Sequence, residues 1–410
     1  MKTTSESFCV LPWIHLATHP HGGVSLCCRV DYTDGIGMAF NQVSQNKKFL
    51  NLNQSSVSEI INADSFKSAR LDMLRGQWPK ACLGCKKDEI SGIKSKRQRE
   101  NEYFSFTQEN ASKITTDVGL IQPNFEYLEL RLGNLCNLKC RTCNPYSSSK
   151  WTEEYEKVES QLEFVRKYDR QAIFKWPDDQ EFWENAFQSS TNLKLLFING
   201  GEPTLINQHW TYLERLVLSG RSQNIDIKYN INMTFLPPKA KEIWKSFKSV
   251  FVGASIDDIN QRNSYIRHGA DWNLIEENLL KIKSWNIPIA IEQTVSAMNV
   301  YYLDEVEKYS KKIGVGYGLN FVYDPPFLAV DIIPEKLKPL ILKKLNKNGY
   351  SSQWYKHVEA HFKTESKLIL WRQFFEYTKK LDMLRNESFE AIFPDYAEII
   401  QFDADISNVV

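Results

Sequence analysis

The sequence predicts an α/β fold, and three observations carry that reading. From about residue 125 short apolar strands alternate with helical segments, as in a parallel sheet with right-handed crossovers. The strand-and-helix units number six, too few to close an eight-stranded barrel. The 410 residues are 42% apolar, 25% charged and 13% aromatic, enough for a sizeable core and unlike a disordered chain. The expected body is therefore a partial (β/α)6, TIM-like barrel; a doubly wound open sheet is the alternative. The length suggests two to three domains at roughly 150 residues each.

Residues 1–110 read as an irregular, cysteine-bearing domain. Gly22-Gly23 separates two apolar runs, Trp13–Ala17 and Val24–Cys28, and predicts a β-hairpin. Helical spacing over Val57–Leu74 is stopped by Gly76 and Pro79. Cys82-Leu-Gly-Cys85 is a tight loop, and the basic run Lys94–Arg99 reads as a solvated face.

The barrel spans residues 125–325. Its expected strands are Tyr127–Leu132, Leu193–Ile198, Ile225–Ile231, Val250–Ile256, Ile287–Val295 and Tyr317–Tyr323. The expected helices are Trp151–Tyr168, Gln208–Leu218, Pro238–Phe247, Trp272–Trp285 and Leu303–Lys312. Residues 334–410 form a helical extension with Trp354, Trp371, Phe374, Phe375 and Tyr377 as packing anchors.

Fifty-one Lys and Arg balance 50 Asp and Glu. A net charge of +1 gives no global field to draw in nucleic acid or anionic lipid. No apolar run approaches the ~20 residues of a membrane helix. Phe8–Ala17, broken by Cys9, Pro12 and His15, is a poor signal core. A cytoplasmic protein is expected.

All eight cysteines precede residue 144. Such clustering without a secretory signal reads as metal ligation. Cys136, Cys140 and Cys143 form a CxxxCxxC directly after the first barrel strand, where ligands bind in parallel α/β folds. Three thiolates can hold three corners of a [4Fe–4S] cube and leave one iron open. Zinc is the alternative, although the triplet lacks a nearby fourth ligand. Asn199-Gly200-Gly201-Glu202-Pro203 follows the second strand; the glycines let the backbone approach a ligand, and Glu202 can accept from a cationic amine.

These residues resemble the radical S-adenosylmethionine (SAM) enzymes. The resemblance implies a catalytic [4Fe–4S] cluster on Cys136, Cys140 and Cys143, with Gly200, Gly201 and Glu202 at SAM's amino group. It extends to Ser255 and Asp257, which would reach the ribose, and to Arg267, which would pair with SAM's carboxylate. The sequence departs from the family pattern at Thr142 and at Asn232-Met-Thr234. The implied activity is reductive cleavage of SAM and hydrogen abstraction from a small-molecule or peptide substrate. Reduced flavodoxin or ferredoxin would be the electron donor. A non-enzymatic iron–sulfur or zinc protein and an RNA-modifying member of the family are the alternatives; the charge balance argues against RNA.

The segment containing Cys9, Gly23, Cys27, Cys28, Cys82, Cys85, Glu89, Gly92 and Ser95 resembles the twitch or SPASM-like auxiliary-cluster module. A second [4Fe–4S] cluster on Cys9, Cys27, Cys82 and Cys85 is expected, with a four-thiolate zinc site as the alternative. Cys28 is left as another ligand, a core thiol or a redox-active, catalytic thiol. Strand alternation would turn Val24, Leu26 and Cys28 to the core and leave Cys27 for the cluster. His15, His19 and His21 read as polar hairpin residues.

Overall fold

A computed structural model of the chain describes residues 5–169 and 172–402. Its two units interleave along the sequence: Met1–Leu135, Gln171–Tyr229 and Lys239–Val250 make the first, and Cys136–Arg170, Asn230–Pro238 and Phe251–Val410 the second.

In the first unit, β1 (His15–Thr18) and β2 (Val24–Ser25) form the expected antiparallel hairpin. A second hairpin joins β3 (Phe40–Val43) to β4 (Asn46–Phe49). β1 also pairs in parallel with β5 (Tyr127–Arg131), matching His15 to Tyr127. The cysteine-bearing hairpin thus adds its strand to the βα body. β5, β6 (Leu195–Asn199) and β7 (Asp226–Ile231) continue the parallel run. β7 alternates: Ile227, Tyr229 and Ile231 are buried, while Lys228 and Asn230 face solvent.

The expected single helix over Val57–Leu74 is instead two, Val57–Ile61 and Asp64–Leu74. Asn62 breaks it, because its side-chain amide donates to the Ile121 carbonyl at 2.9 Å and Ala63 turns extended.

β8 (Ser249–Ala254), which belongs to the second unit from Phe251 on, β9 (Ile289–Val295) and β10 (Gly316–Phe321) are parallel. The helix expected over Trp151–Tyr168 is only Thr152–Glu159. The chain then folds back, with Val165 buried and the Tyr155 hydroxyl donating to the Arg166 carbonyl at 3.0 Å. The other expected strands and helices end within about two residues of their predicted bounds. The α/β class and the parallel βα succession therefore stand.

The C-terminal extension is helical at Lys338–Lys347, Ser352–Phe362, Leu368–Arg385, Phe389–Ile392 and Pro394–Ile400. Trp371, Phe374, Phe375 and Tyr377 are buried in this unit's core. The extension's last residues, 403–410, lie outside the described residues.

Candidate functional site

The CxxxCxxC loop is held by its own backbone. Lys139 N–H donates to the His268 carbonyl at 2.9 Å, and Arg141 N–H to the Ile266 carbonyl at 2.7 Å. The Trp151 indole N–H and Ser148 hydroxyl cap the Cys140 and Leu138 carbonyls at 2.9 and 2.6 Å. Cys136 and Cys140 are buried and Cys143 half-buried. Burial pushes the Cys140 thiol up to about 12 and the Cys143 thiol up to about 11, and the neighbouring cysteine sulfurs add to both rises. The three thiols therefore sit in one desolvated loop, and metal would have to displace their protons.

Arg267 is the counter-charge. Burial opposes its charge, but Cys140, Asp257 and Cys136 more than offset that and hold its pKa well above the ordinary value. Its Nη1 donates to Asp257 Oδ2 at 3.0 Å, and its buried Nε has no hydrogen-bond partner. Asp257 is fully buried and also accepts from the Thr294 N–H at 3.2 Å. Its carboxylate orients Arg267. An anionic group fits here, because a buried guanidinium N–H is left to be satisfied. Ser255 is half-buried, with its N–H on the Ile231 carbonyl at 2.8 Å.

The departure at Asn232-Met-Thr234 has a structural use. Asn232 Nδ2 donates to Asn137 Oδ1 at 2.9 Å and lies 4.0 Å from Cys136 Sγ. Its Oδ1 accepts from the Thr234 hydroxyl at 2.6 Å. Met233 is buried with φ +65°, a conformation side-chain-bearing residues hold only when their surroundings fix it.

In the first unit, the Gly200-Gly201 turn packs against the stretch leading to the cysteine loop. A Cβ on Gly200, whose φ is +122°, would lie 2.5 Å from the Leu132 nitrogen. One on Gly201 would strike the Leu135 carbonyl. The glycines are thus required by a close backbone approach to residues 132–135, where the sequence pointed only to a ligand. Glu202 N–H donates to the Leu135 carbonyl at 2.7 Å, one residue before Cys136. Its buried carboxylate accepts from the Thr204 N–H and hydroxyl at 3.1 and 2.6 Å.

The N-terminal cysteines also gather. Cys9 and Cys85 are buried, and Cys27 and Cys82 half-buried. Burial raises the Cys9 thiol to about 12, with Cys85 adding to it. Burial and then Cys82 and Cys9 raise Cys27; burial and then Cys9 and Cys85 raise Cys82. The sequence motif around them is a brace. Glu89 accepts from Arg97 at 2.6 Å and from the Ser95 hydroxyl at 2.6 Å, while Arg97 reaches the Phe8 carbonyl at 2.8 Å, next to Cys9.

Cys28 lies elsewhere. β2 ends at Ser25, so strand alternation does not extend to it, and it is exposed where the core was expected. Partial desolvation and Glu129 raise its thiol pKa, while Lys96 and Arg131 oppose the rise, Lys96 also bonding the sulfur. His15 is buried, stacked on Tyr127 at 4.2 Å and 3.6 Å from Glu129. Burial lowers His19 to about 3. These histidines belong to the hairpin's packed interior. Among the described residues, no three His, Cys, Asp or Glu side chains converge as tightly as a single ion requires. No helix among them is long and apolar enough to cross a membrane.

Sequence reasoning missed Arg141, Glu129 and Lys96. Arg141 carried a readable signal, since a cation between two cysteines of a buried loop needs carboxylate partners.

Residues 9–86, which hold the N-terminal cysteines, match the family model of the SPASM iron–sulfur cluster-binding domain. The uncharacterized protein MJ0907 of Methanocaldococcus jannaschii is 26% identical over 197 residues, 46% of this chain and 60% of its own length. The chain thus spans about 60% of that curated relative. Among solved structures, native anSMEcpe with bound AdoMet is similar at a TM-score of 0.40, with 19% identity over 54% of this chain and 59% of that chain. Streptococcus suis SuiB bound to the precursor peptide SuiA is similar at a TM-score of 0.36, with 14% identity over 85% of this chain and 71% of that chain.

Proposed function

We propose that the chain is a radical SAM enzyme with an auxiliary cluster in its SPASM domain. The observation that carries the reading is that the buried loop of Cys136, Cys140 and Cys143 is bonded to Ile266 and His268, either side of Arg267, whose buried Nε has no partner. Three thiolates and a buried cation suit a [4Fe–4S] cluster with one open iron and an anionic ligand group. When bound, the cluster and SAM supply reductive cleavage to methionine and a 5′-deoxyadenosyl radical, which takes hydrogen from substrate.

The chain's own part is to bind and orient. Arg267, held by Asp257, offers its free N–H to SAM's carboxylate. Glu202, fixed through Thr204, takes the ammonium group beside the Gly200-Gly201 turn. Ser255 and Asp257 are the remaining SAM contacts in this reading. Cys9, Cys27, Cys82 and Cys85 hold the auxiliary cluster. The substrate is a small molecule or peptide, and a reduced flavodoxin or ferredoxin supplies the electron.

SAM binding to the anaerobically reconstituted chain tests this reading. Glu202→Gln should weaken binding roughly tenfold at unchanged iron content, because a charge-assisted hydrogen bond becomes a neutral one. An unchanged SAM dissociation constant would remove Glu202 from the site.

A further inference from the structure

The helix Leu83–Ile90 has two unlike faces. Cys85 points inward and is buried. At 3.6 residues per turn, Leu83, Lys86, Lys87 and Ile90 share the opposite face. All four are exposed, Leu83 by 39% and Ile90 by 77%. Lys80, just before the helix, is exposed as well.

Single exposed apolar residues are ordinary. Here two of them interleave with lysines on one face of a helix whose other face carries a cluster cysteine. Among the described residues Lys80, Lys86 and Lys87 form no hydrogen bond or ion pair through their side chains. The nearby carboxylates are few: Asp88 is held by Arg29 at 3.0 Å, and exposed Asp31 feels Lys87. The basic run that follows is differently placed, because its charges are spent internally. Lys94 pairs with Glu102 at 2.5 Å, Lys96 with Glu100 at 3.1 Å and Arg97 with Glu89 at 2.6 Å. Arg99 donates to the Lys94 carbonyl at 2.7 Å. Of these two neighbouring segments, the one with unpaired positive charge is therefore the cysteine helix.

We propose that this face docks an acidic one-electron carrier protein of the flavodoxin type, for exchange with the cluster on Cys9, Cys27, Cys82 and Cys85. The inference rests on the auxiliary-cluster reading. Unpaired lysines complement an acidic carrier and steer its approach. Leu83 and Ile90 supply the small apolar centre that a transient redox encounter requires. Cys85, on the inner face, would hold its cluster on the side of the same helix away from the carrier. The step is a single electron transfer: the anionic flavin hydroquinone becomes the neutral semiquinone, and the cluster passes from 2+ to 1+. No bond forms or breaks, and no proton moves.

The test uses the full, anaerobically reconstituted chain and flavodoxin hydroquinone. Semiquinone formation is followed by stopped flow across a salt series. Carbodiimide cross-linking then maps the lysines joined to flavodoxin carboxylates. Lys86 and Lys87 should carry cross-links. Lys86→Glu/Lys87→Glu should lower the second-order rate about tenfold at low salt and abolish its fall with added salt, at unchanged iron content. Leu83→Ser/Ile90→Ser should slow transfer while leaving the salt dependence in place. A wild-type rate in the fully iron-loaded charge-reversal variant would overturn the docking face alone. Cross-links confined to other lysines, or self-cross-links through Lys86 without flavodoxin, would also overturn it. Absence of iron from the N-terminal cysteines would overturn the cluster reading and the proposal with it.

Discussion

Arg141 Nη2 donates to Asp382 Oδ1 at 2.6 Å, which ties the CxxxCxxC loop to the C-terminal extension. The same nitrogen reaches Glu387 Oε2 at 2.6 Å, and Nε reaches the Tyr265 carbonyl at 3.1 Å. The guanidinium stacks over the Tyr265 ring at 3.6 Å and is fully buried. In return, the Tyr377 hydroxyl donates to the Arg141 carbonyl at 3.0 Å, and Arg385 to the Lys139 carbonyl at 2.9 Å. His268, whose carbonyl holds the loop, pairs with Glu387 at 2.7 Å. The extension is thus a clamp on the cysteine loop.

Breaking this clamp should cost far more than a surface ion pair. Removing Asp382 leaves the buried Arg141 with Glu387 alone, and breaking a buried ion pair costs up to about 3–5 kcal/mol. Asp382→Ala should lower the melting temperature and reduce iron from about eight to about four per chain, the loss falling on the catalytic cluster. Arg141→Lys should not substitute, because an ammonium lacks the planar fork that serves Tyr265, Asp382 and Glu387 together. Full iron loading in both variants would contradict the clamp.

Cys27 and Cys28 should separate cleanly. Cys27 feels Cys82 and Cys9, whereas Cys28 faces Glu129 and Lys96. Cys28→Ser should keep about eight irons, and Cys27→Ser should lose up to about four. Iron analysis after reconstitution reads both, and the reverse pattern would exchange their roles.

Asn232 should tune the catalytic cluster. An N–H directed at a ligand sulfur stabilises the more negative, reduced cluster. Asn232→Ala should therefore shift the reduction potential downward by tens of millivolts, since about 59 mV is a tenfold change for one electron. An EPR-monitored redox titration measures the shift, and an unchanged potential would reduce Asn232 to a loop brace.

Much of this was legible because it is local. The strand Leu195–Asn199 followed by two glycines and an acid, and three cysteines after β5, declare themselves by spacing. What the sequence hid is long-range or terminal. The Val57–Leu74 helix broke because Asn62 bonds Ile121, a partner 59 residues away. Alternation failed at Cys28 because β2 stops at Ser25, and a strand's end is its least readable part. The clamp was invisible because Arg141 and Asp382 are 241 residues apart. The Gly200-Gly201 turn was read as a backbone approach to a ligand, whereas the close approach that requires its glycines is to the backbone of residues 132–135.

The central claim is that Cys136, Cys140 and Cys143 hold a cluster that cleaves SAM. The direct measurement is anaerobic incubation of the reconstituted chain with SAM and dithionite, with chromatographic detection of 5′-deoxyadenosine. The wild-type chain should produce it. The Cys136→Ala/Cys140→Ala/Cys143→Ala variant should produce none while retaining iron, about four per chain, at its N-terminal cysteines. Deoxyadenosine from that variant, or none from the fully loaded wild-type chain, would contradict the assignment.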